Sequence, residues 1–178
     1  MSTRTMPHRV HHIRRHRTLL AAGADLWYFA YGANLCHAHM RRHCAHAEPV
    51  GPAVLGDFQL VFHGCADVVP VPGATVPGAV WRIRGSDEAA LDRYEGYPLH
   101  YRKEEHPVEL AHGERVTAML YRMNRGRPRL PNPSYLELIR CGHRDFGLPL
   151  DHLETALELA RRPLLRRFPM LGRVPQVP

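Results

Sequence analysis

Residues 26–35 read Leu-Trp-Tyr-Phe-Ala-Tyr-Gly-Ala-Asn-Leu, and the fold is organised around this stretch. The aromatic and apolar residues before Gly32 are typical of a buried strand, which the glycine ends. Asn34 is placed to cap a short helix running to about His46. A glycine at such a junction can leave backbone N–H groups uncovered, and these can hold a carboxylate or stabilise an oxyanion. The stretch therefore predicts either an anion-binding turn or an ordinary one.

Downstream of this stretch, predicted strands alternate with short helices. Strands are predicted at 58–62, 79–83, 101–110 and 114–123, and turn formers fill 70–78. Helices are predicted at 87–95 with Ser86 as N-cap and Gly96 as stop, from Pro133 after Asn132, and from Asp151, which has capping-box spacing to Glu154. The order predicts a mixed α+β domain, for which a small barrel is one arrangement.

The net charge of +7 is concentrated at the two ends of the 178-residue chain. Five arginines and no acidic residue lie in 1–20, and the same holds for 161–178, so the remainder carries 14 basic and 17 acidic residues, a net of −3. We therefore predict a basic, disordered leader at 1–24, one domain at 25–160 and a basic Pro/Arg-rich tail at 161–178, in which Pro163 interrupts any long helix.

Charge, apolar runs and cysteines also limit which partners and which cellular location are expected for this chain. A basic tail can attract a polyanion, but nothing between the tails resembles a phosphate-reading groove, so no nucleic-acid partner is expected. No apolar run approaches the roughly 20 residues needed to cross a bilayer. A twin-arginine export signal is faintly suggested at 14–17, but Asp25 ends the apolar stretch that follows. The four cysteines form no CxxC pair, so a cytoplasmic protein is expected, with its oligomeric state open.

Glu95 is the first candidate for chemistry, because it lies in the last turn of the predicted helix 87–95. The negative end of a helix disfavours an ionised carboxylate, and the neighbouring Tyr94 and Tyr97 would add desolvation. Both effects raise the pKa of Glu95, as a general base acting on an amine requires. The alternative is an ordinary solvated glutamate on a helix surface.

Residues 28–35, YFAYGANL, resemble the YGSNL-type signature of the gamma-glutamylcyclotransferase superfamily. Further segments agree in the same order, namely 78–81 with 91–96, then 101–102, then 131–150, so the resemblance covers about 26–158. It implies a small mixed α+β domain around a β-barrel with short flanking helices. It also implies conversion of a gamma-glutamyl amide into 5-oxoproline and a free amine, without a metal or organic cofactor.

Carried over position by position, the resemblance implies that Glu95 is the catalytic general acid/base. The substrate-binding residues that it implies are Tyr31, Gly32, Ala33, Asn34, Leu35, Tyr101, Tyr121 and Tyr135, with Tyr101 the weakest match. Ala33 stands where the signature has serine, which removes one possible hydrogen bond worth about 0.5–1.5 kcal/mol. The leaving group stays open among gamma-glutamyl amino acids or peptides, gamma-glutamyl amines and gamma-glutamyl-protected intermediates, and direct cleavage of glutathione is the less expected reaction.

Two alternatives compete with this interpretation. The first is a metal site, because Cys36, His37, His39, His43, Cys44 and His46 crowd into one short segment. His39 and His43 could share a helix face, but the segment lacks the regular pairs of a structural zinc site, so no metal is expected. The second is a non-catalytic binding module that engages an anionic partner through its basic tails. A module that only binds has no need of Glu95, and its presence favours the enzyme.

Overall fold

A computed structural model describes residues 25–167, with side chains described as far as residue 162. The elements are β1 (Leu26–Ala30), a 3₁₀ turn (Ala33–Leu35), α1 (His37–His43), β2 (Glu48–Phe62), β3 (Ala66–Ile83), α2 (Gly85–Glu95), β4 (Tyr101–Leu110), β5 (Arg115–Met123), α3 (Pro133–Phe146) and α4 (Asp151–Arg167). The strands close into a barrel in the order β1-β3-β2-β4-β5. The predicted α+β domain built around a barrel is therefore confirmed.

Strand β1 lies between two neighbours, antiparallel to β3 and parallel to β5. Phe29 packs in the core cluster shared by the barrel strands and α4, whereas Tyr28 and Ala30 pack in a second cluster with Leu35 and Met40. Successive side chains of a strand point to opposite faces, so a strand buried on both faces needs an uninterrupted apolar run. This double burial explains the composition of residues 28–31, each of which is buried.

The expectation of turns at 70–78 is wrong, because this segment lies inside β3. Within β3, only residues 79–83 pair with β1, so the preceding part of β3 pairs with β2 alone among the described strands. Proline is tolerated where one side of a strand has no ladder partner. The turn formers mark a bulge, since the β2–β3 register shifts between Gly56 and Phe58, and the Gly73 N–H donates to Asp57 Oδ1 at 2.8 Å.

The helix ends follow the local signals in some places and not in others. Asn34 does not cap α1, which begins after Cys36 and ends at His43, because its side chain is used elsewhere. Ser86 is not the N-cap of α2, since that position belongs to Arg84, whose backbone N–H donates to Asp87 Oδ2 at 3.1 Å. Gly96 ends α2 in the left-handed conformation as predicted.

The last two helices pack against the barrel. α3 begins at Pro133 as predicted, and Asn132 caps it, since its Oδ1 accepts a hydrogen bond from the Tyr135 N–H at 2.7 Å. α4 begins at Asp151 as predicted but continues to Arg167, so the expectation that Pro163 interrupts it is wrong. Proline removes a single intrahelical hydrogen bond, and α4 is anchored before that point by buried residues such as Leu153 and Leu157.

The predicted leader at 1–24 and the end of the predicted tail, residues 168–178, lie outside the described residues. Within the part of the chain that the structure describes, no helix is both long enough and apolar enough to cross a membrane.

Candidate active site

A cavity of about 140 Å³ opens where β1 ends, between the 3₁₀ turn, the end of α2 and the start of β3. Its lining consists mainly of tyrosines and the small residues of the turn, with a single carboxylate. The lining residues are Tyr28, Tyr31, Gly32, Ala33, Asn34, Cys65, Ala66, Tyr94, Glu95, Tyr101, Tyr121 and Tyr135. No lysine, arginine or histidine is among them, so none of the described lining residues supplies a cation to neutralise Glu95.

Glu95 is the last residue of α2, and the left-handed Gly96 turns the chain away directly after it. One carboxylate oxygen, Oε1, accepts a hydrogen bond from Asn34 Nδ2 at 3.0 Å. Burial raises the pKa of Glu95 to about 7, and the hydrogen bond from Asn34 opposes the shift only in part. Near neutral pH the carboxyl group is therefore present in both its protonated and its ionised form.

Asn34 joins the turn to the carboxylate. It is only 4% exposed, and its amide nitrogen donates both to Tyr28 Oη and to Glu95 Oε1, each at 3.0 Å. A primary amide carries two N–H groups in one plane, so these two bonds fix the orientation of the side chain. The residue that the sequence predicts to cap a helix instead positions Glu95, the one carboxylate among the described lining residues.

The tyrosine hydroxyls are held by the backbone around the cavity. The Ala66 N–H donates to Tyr135 Oη at 3.1 Å, and the Tyr101 hydroxyl donates to the Ala66 carbonyl at 3.3 Å. The Tyr31 hydroxyl donates to the carbonyl oxygen of Tyr121. Because Tyr135 Oη accepts here, its own proton remains available to a ligand. Burial raises the pKa of the Tyr135 phenol well above its ordinary value, so it stays protonated as a donor.

Tyr121 points its hydroxyl away from this network, donating to Asp92 Oδ1 at 2.6 Å. Asp92 lies one turn before Glu95 on α2, and its Oδ2 also accepts a hydrogen bond from Lys103 Nζ at 3.1 Å. Tyr121 therefore fixes α2 against β5 and contributes its ring to the cavity wall.

Gly32 is required for space rather than for an unusual backbone conformation, since its φ is −120°. A Cβ at this position would lie 3.2 Å from Tyr135 Oη and 3.3 Å from the Ala66 Cβ. The glycine lets the turn approach the tyrosine and the start of β3 closely, and thereby closes one wall of the cavity.

All but one of the residues predicted for the site line this cavity. The exception is Leu35, which is fully buried in the core and whose backbone N–H donates to the Gly32 carbonyl at 3.0 Å. Its amide is used inside the turn, so a binding role for Leu35 has no support in this geometry.

Four lining residues were not predicted: Tyr28, Cys65, Ala66 and Tyr94. Tyr28 and Tyr94 lie inside or beside the quoted motifs. Cys65 and Ala66 carry no local signal, because only the return of the chain from β2 into β3 brings them to the cavity.

The segment 36–46, which is dense in cysteine and histidine, lies outside the cavity lining. The thiols of Cys36 and Cys141 and the carboxylate of Asp145 form a group whose ligand atoms lie within 4.8 Å of one another. His39 and His43 share a face of α1, with their Nε2 atoms 3.3 Å apart. The segment that is dense in cysteine and histidine is thus divided between different faces of the molecule, and it does not form one site.

Comparisons with known proteins agree with this architecture. The family described as "Gamma-glutamyl cyclotransferase, AIG2-like" matches residues 28–140. The gamma-glutamylcyclotransferase of Bos taurus is 31% identical over 143 residues, covering 73% of this chain and 76% of the relative, and the Mus musculus protein is 31% identical over 145 residues, covering 74% and 77%. A solved structure of a gamma-glutamyl cyclotransferase superposes with a TM-score of 0.69 at 28% identity, covering 76% of this chain and 88% of that one. The chain belongs to the gamma-glutamyl cyclotransferase, AIG2-like family.

Proposed function

We propose that this protein cyclises a gamma-glutamyl amide to 5-oxoproline and releases the free amine, with Glu95 as general acid/base. Membership of the family supports an enzyme of the gamma-glutamylcyclotransferase kind. The observation that carries the proposal is the Glu95 carboxyl group, which shares one cavity with the Gly32–Asn34 turn and has a pKa of about 7. A group that is half protonated near neutral pH can both accept and donate a proton there.

The reaction asks little of the protein beyond positioning and proton transfer. The nucleophile is the α-amine of the substrate, which attacks the γ-carbonyl carbon of the same glutamyl unit and closes a five-membered ring. Well-oriented intramolecular attack can be worth about 7–11 kcal/mol of barrier. A cavity that holds the folded-back glutamyl unit therefore supplies much of the rate without a cofactor.

One carboxyl group, that of Glu95, suffices for the proton transfers of this reaction. The α-nitrogen arrives as an ammonium with three protons, of which one remains on the lactam nitrogen of 5-oxoproline. Glu95 takes a proton from the attacking nitrogen and passes it to the leaving nitrogen as the C–N bond of the amide breaks. The remaining proton ends on the released amine, which is an ammonium at neutral pH.

The lining offers hydrogen-bond donors for the two other polar parts of the substrate, its α-carboxylate and its γ-carbonyl oxygen. None of the described residues that line the cavity is cationic, so we assign these oxygens to neutral donors. We assign the oxygens of the α-carboxylate and of the γ-carbonyl to two kinds of donor, the backbone N–H groups of residues 31–34 and the hydroxyl proton of Tyr135. Tyr101 and Tyr31, whose hydroxyls donate to backbone carbonyls, act as walls. Because Ala33 has no hydroxyl, the backbone at this position is the part that can bind the glutamyl group, whereas a serine would add a further hydrogen-bonding group.

We also propose a cytoplasmic location, in line with four cysteines that form no CxxC pair. A binding module that works through basic tails gains no support from the described residues, because most of those tails lie outside them.

The test is incubation of the full chain with a panel of gamma-glutamyl amino acids, peptides and amines, followed by mass detection of 5-oxoproline and of the amine. Two matched controls sharpen it. N-acetyl-gamma-glutamyl amides lack the nucleophile, and α-glutamyl amides present the wrong carbonyl, so neither is expected to react. Absence of 5-oxoproline from every member of the panel would overturn the proposal, and so would equal turnover of the N-acetylated substrates.

A further inference from the structure

His39, His43 and Tyr94 form a cluster of donor atoms beside the cavity that the proposed reaction does not use. His39 Nε2 lies 3.3 Å from His43 Nε2 and 2.9 Å from Tyr94 Oη. The two histidines are one turn apart on α1, and Tyr94 belongs to the last turn of α2, so the helix contact between α1 and α2 assembles the cluster. Tyr94 is 42% exposed and His43 is partly exposed, so solvent reaches the cluster from one side.

The spacing matches what a bound ion requires. Two imidazole nitrogens bound to one tetrahedral zinc at about 2.0–2.1 Å stand about 3.3–3.4 Å apart. We propose that His39, His43 and Tyr94 form a binding site for a divalent transition-metal ion of the imidazole-preferring kind, such as Zn²⁺ or Ni²⁺. The two histidines are the principal ligands, the phenol oxygen is a weaker third donor, and solvent completes the coordination.

Hydrogen bonding alone does not account for the arrangement. A ring nitrogen carries either one hydrogen or one lone pair, directed along a single line in the ring plane. His39 Nε2 faces two partners at once, so it cannot make a well-directed hydrogen bond to both. The other ring nitrogen, Nδ1, is buried without a hydrogen-bond partner among the described residues, which leaves Nε2 as the nitrogen available to a ligand.

The electrostatics of the cluster favour the ligand form of the imidazoles. Burial, the facing His43 and the nearby Arg42 lower the pKa of His39, and burial with Arg42 lowers that of His43. Both rings are therefore neutral near pH 7, and only a neutral imidazole binds a metal. Arg42 also repels an incoming cation, but its side chain is exposed, so solvent screens much of that repulsion.

The site goes beyond the proposed function and adjoins it, because Tyr94 lines the cavity and directly precedes Glu95. An ion held by Tyr94 and the two histidines fixes the last turn of α2 against α1. We expect a bound ion to reduce turnover by restricting the end of α2 that carries the carboxylate. The binding measurement itself needs no substrate, so failure of this inference is distinguishable from failure of the proposed function.

The experiment is calorimetric titration of untagged, metal-free full-length protein with Ni²⁺, a metal for which imidazole is a suitable ligand. The leader carries further histidines, so every variant is made in a background with His8, His11, His12 and His16 replaced by glutamine. We expect one ion per chain, with affinity at least tenfold weaker in H43A and in H39Q, and a smaller loss in Y94F. The matched control is H112A, which removes an exposed histidine paired with Glu114 on the β4–β5 hairpin and should bind as the background does.

Three outcomes would overturn the proposal: affinity within twofold of the background in H43A, an equal loss in H112A, or a loss in the C36S/C141S double variant with none in H43A. Circular dichroism and thermal midpoints in the presence of a chelator identify variants that are misfolded. H43A changes a partly exposed residue and is the variant on which the assignment depends, whereas H39Q replaces a nearly buried ring.

Discussion

Glu95 and Glu104 are two partly buried glutamates of the same barrel, and their surroundings drive their pKa values in opposite directions. Glu104, on β4, would also have its pKa raised by burial, but hydrogen bonds from His106, Arg122 and Arg102 outweigh this and lower it to about 2. Among the described residues, Glu95 receives a hydrogen bond from one neutral amide and none from a cation, so burial raises its pKa to about 7. The environment, and not the residue type, decides which carboxylate stabilises the fold and which is available for proton transfer.

The largest expected effect is on turnover. Gln at position 95 keeps the shape of the side chain but cannot carry a proton between the two nitrogens, so E95Q should reduce kcat by about 10²–10⁴-fold. Glu104 does not line the cavity, and E104Q should stay within a few-fold of the wild type. The measurement is the initial rate of 5-oxoproline release by both variants. Equal losses in the two would remove the distinction between the two carboxylates.

The next effect is on stability, and its pH dependence differs in sign between the two sites. Folded Glu95 holds its proton up to about pH 7, whereas the unfolded chain releases it near 4.5, so wild-type stability falls as pH rises through this window. E95Q should therefore be more stable than the wild type at pH 8, by up to about 3 kcal/mol, and equal to it near pH 4.

Glu104 behaves in the opposite way. Its contribution is present above about pH 4.5 and is lost as pH falls towards 2. E104Q should lose about 1–3 kcal/mol at pH 7, a figure discounted for partial exposure, and little at pH 2. Urea unfolding of both variants across this range checks the two slopes, and parallel slopes would contradict the assigned environments.

The smallest expected effect concerns the pKa of Glu95 and the pH dependence of kcat/KM. The acidic limb of kcat/KM should have its midpoint near pH 7, because the ionised carboxylate is the base. Asn34 is the one group that lowers this pKa, so N34A should move the limb to higher pH. Y28F is the matched control, since it removes the other acceptor of the Asn34 amide and leaves the bond to Glu95 in place. A limb that moves to lower pH in N34A would contradict the role given to Asn34.

Local signals in the sequence predicted those features that depend on neighbouring residues. The stop at Gly96, the start of α3 at Pro133 and the whole of β4 are of this kind, because each rests on one turn of helix or one alternating strand. The bulge in the β2–β3 ribbon gives the same local signal as a turn. Only the register with a partner strand separates the two, and that information is not local.

The candidate site shows the same division. The family resemblance pointed to Glu95 and to the turn after β1, and those residues do line one cavity. The motif does not indicate that the Leu35 side chain points into the core. Nor does it indicate that Asn34 donates a hydrogen bond to a carboxylate sixty-one positions away instead of capping a helix. The direction in which each side chain of a short turn points is decided by the packing around it.

The parallel contact between β1 and β5 has a consequence for when this protein becomes active. The first strand of the barrel meets its last at Tyr28 and Met119, and the Tyr31 hydroxyl reaches the Tyr121 carbonyl across the same seam. The cavity walls come from both sides of that seam, and α3 adds Tyr135 only afterwards. A nascent chain that has emerged only as far as β4 thus contains Glu95 but lacks the cavity walls that β5 and α3 supply. The time at which refolding protein begins to release 5-oxoproline would therefore report when the barrel closes.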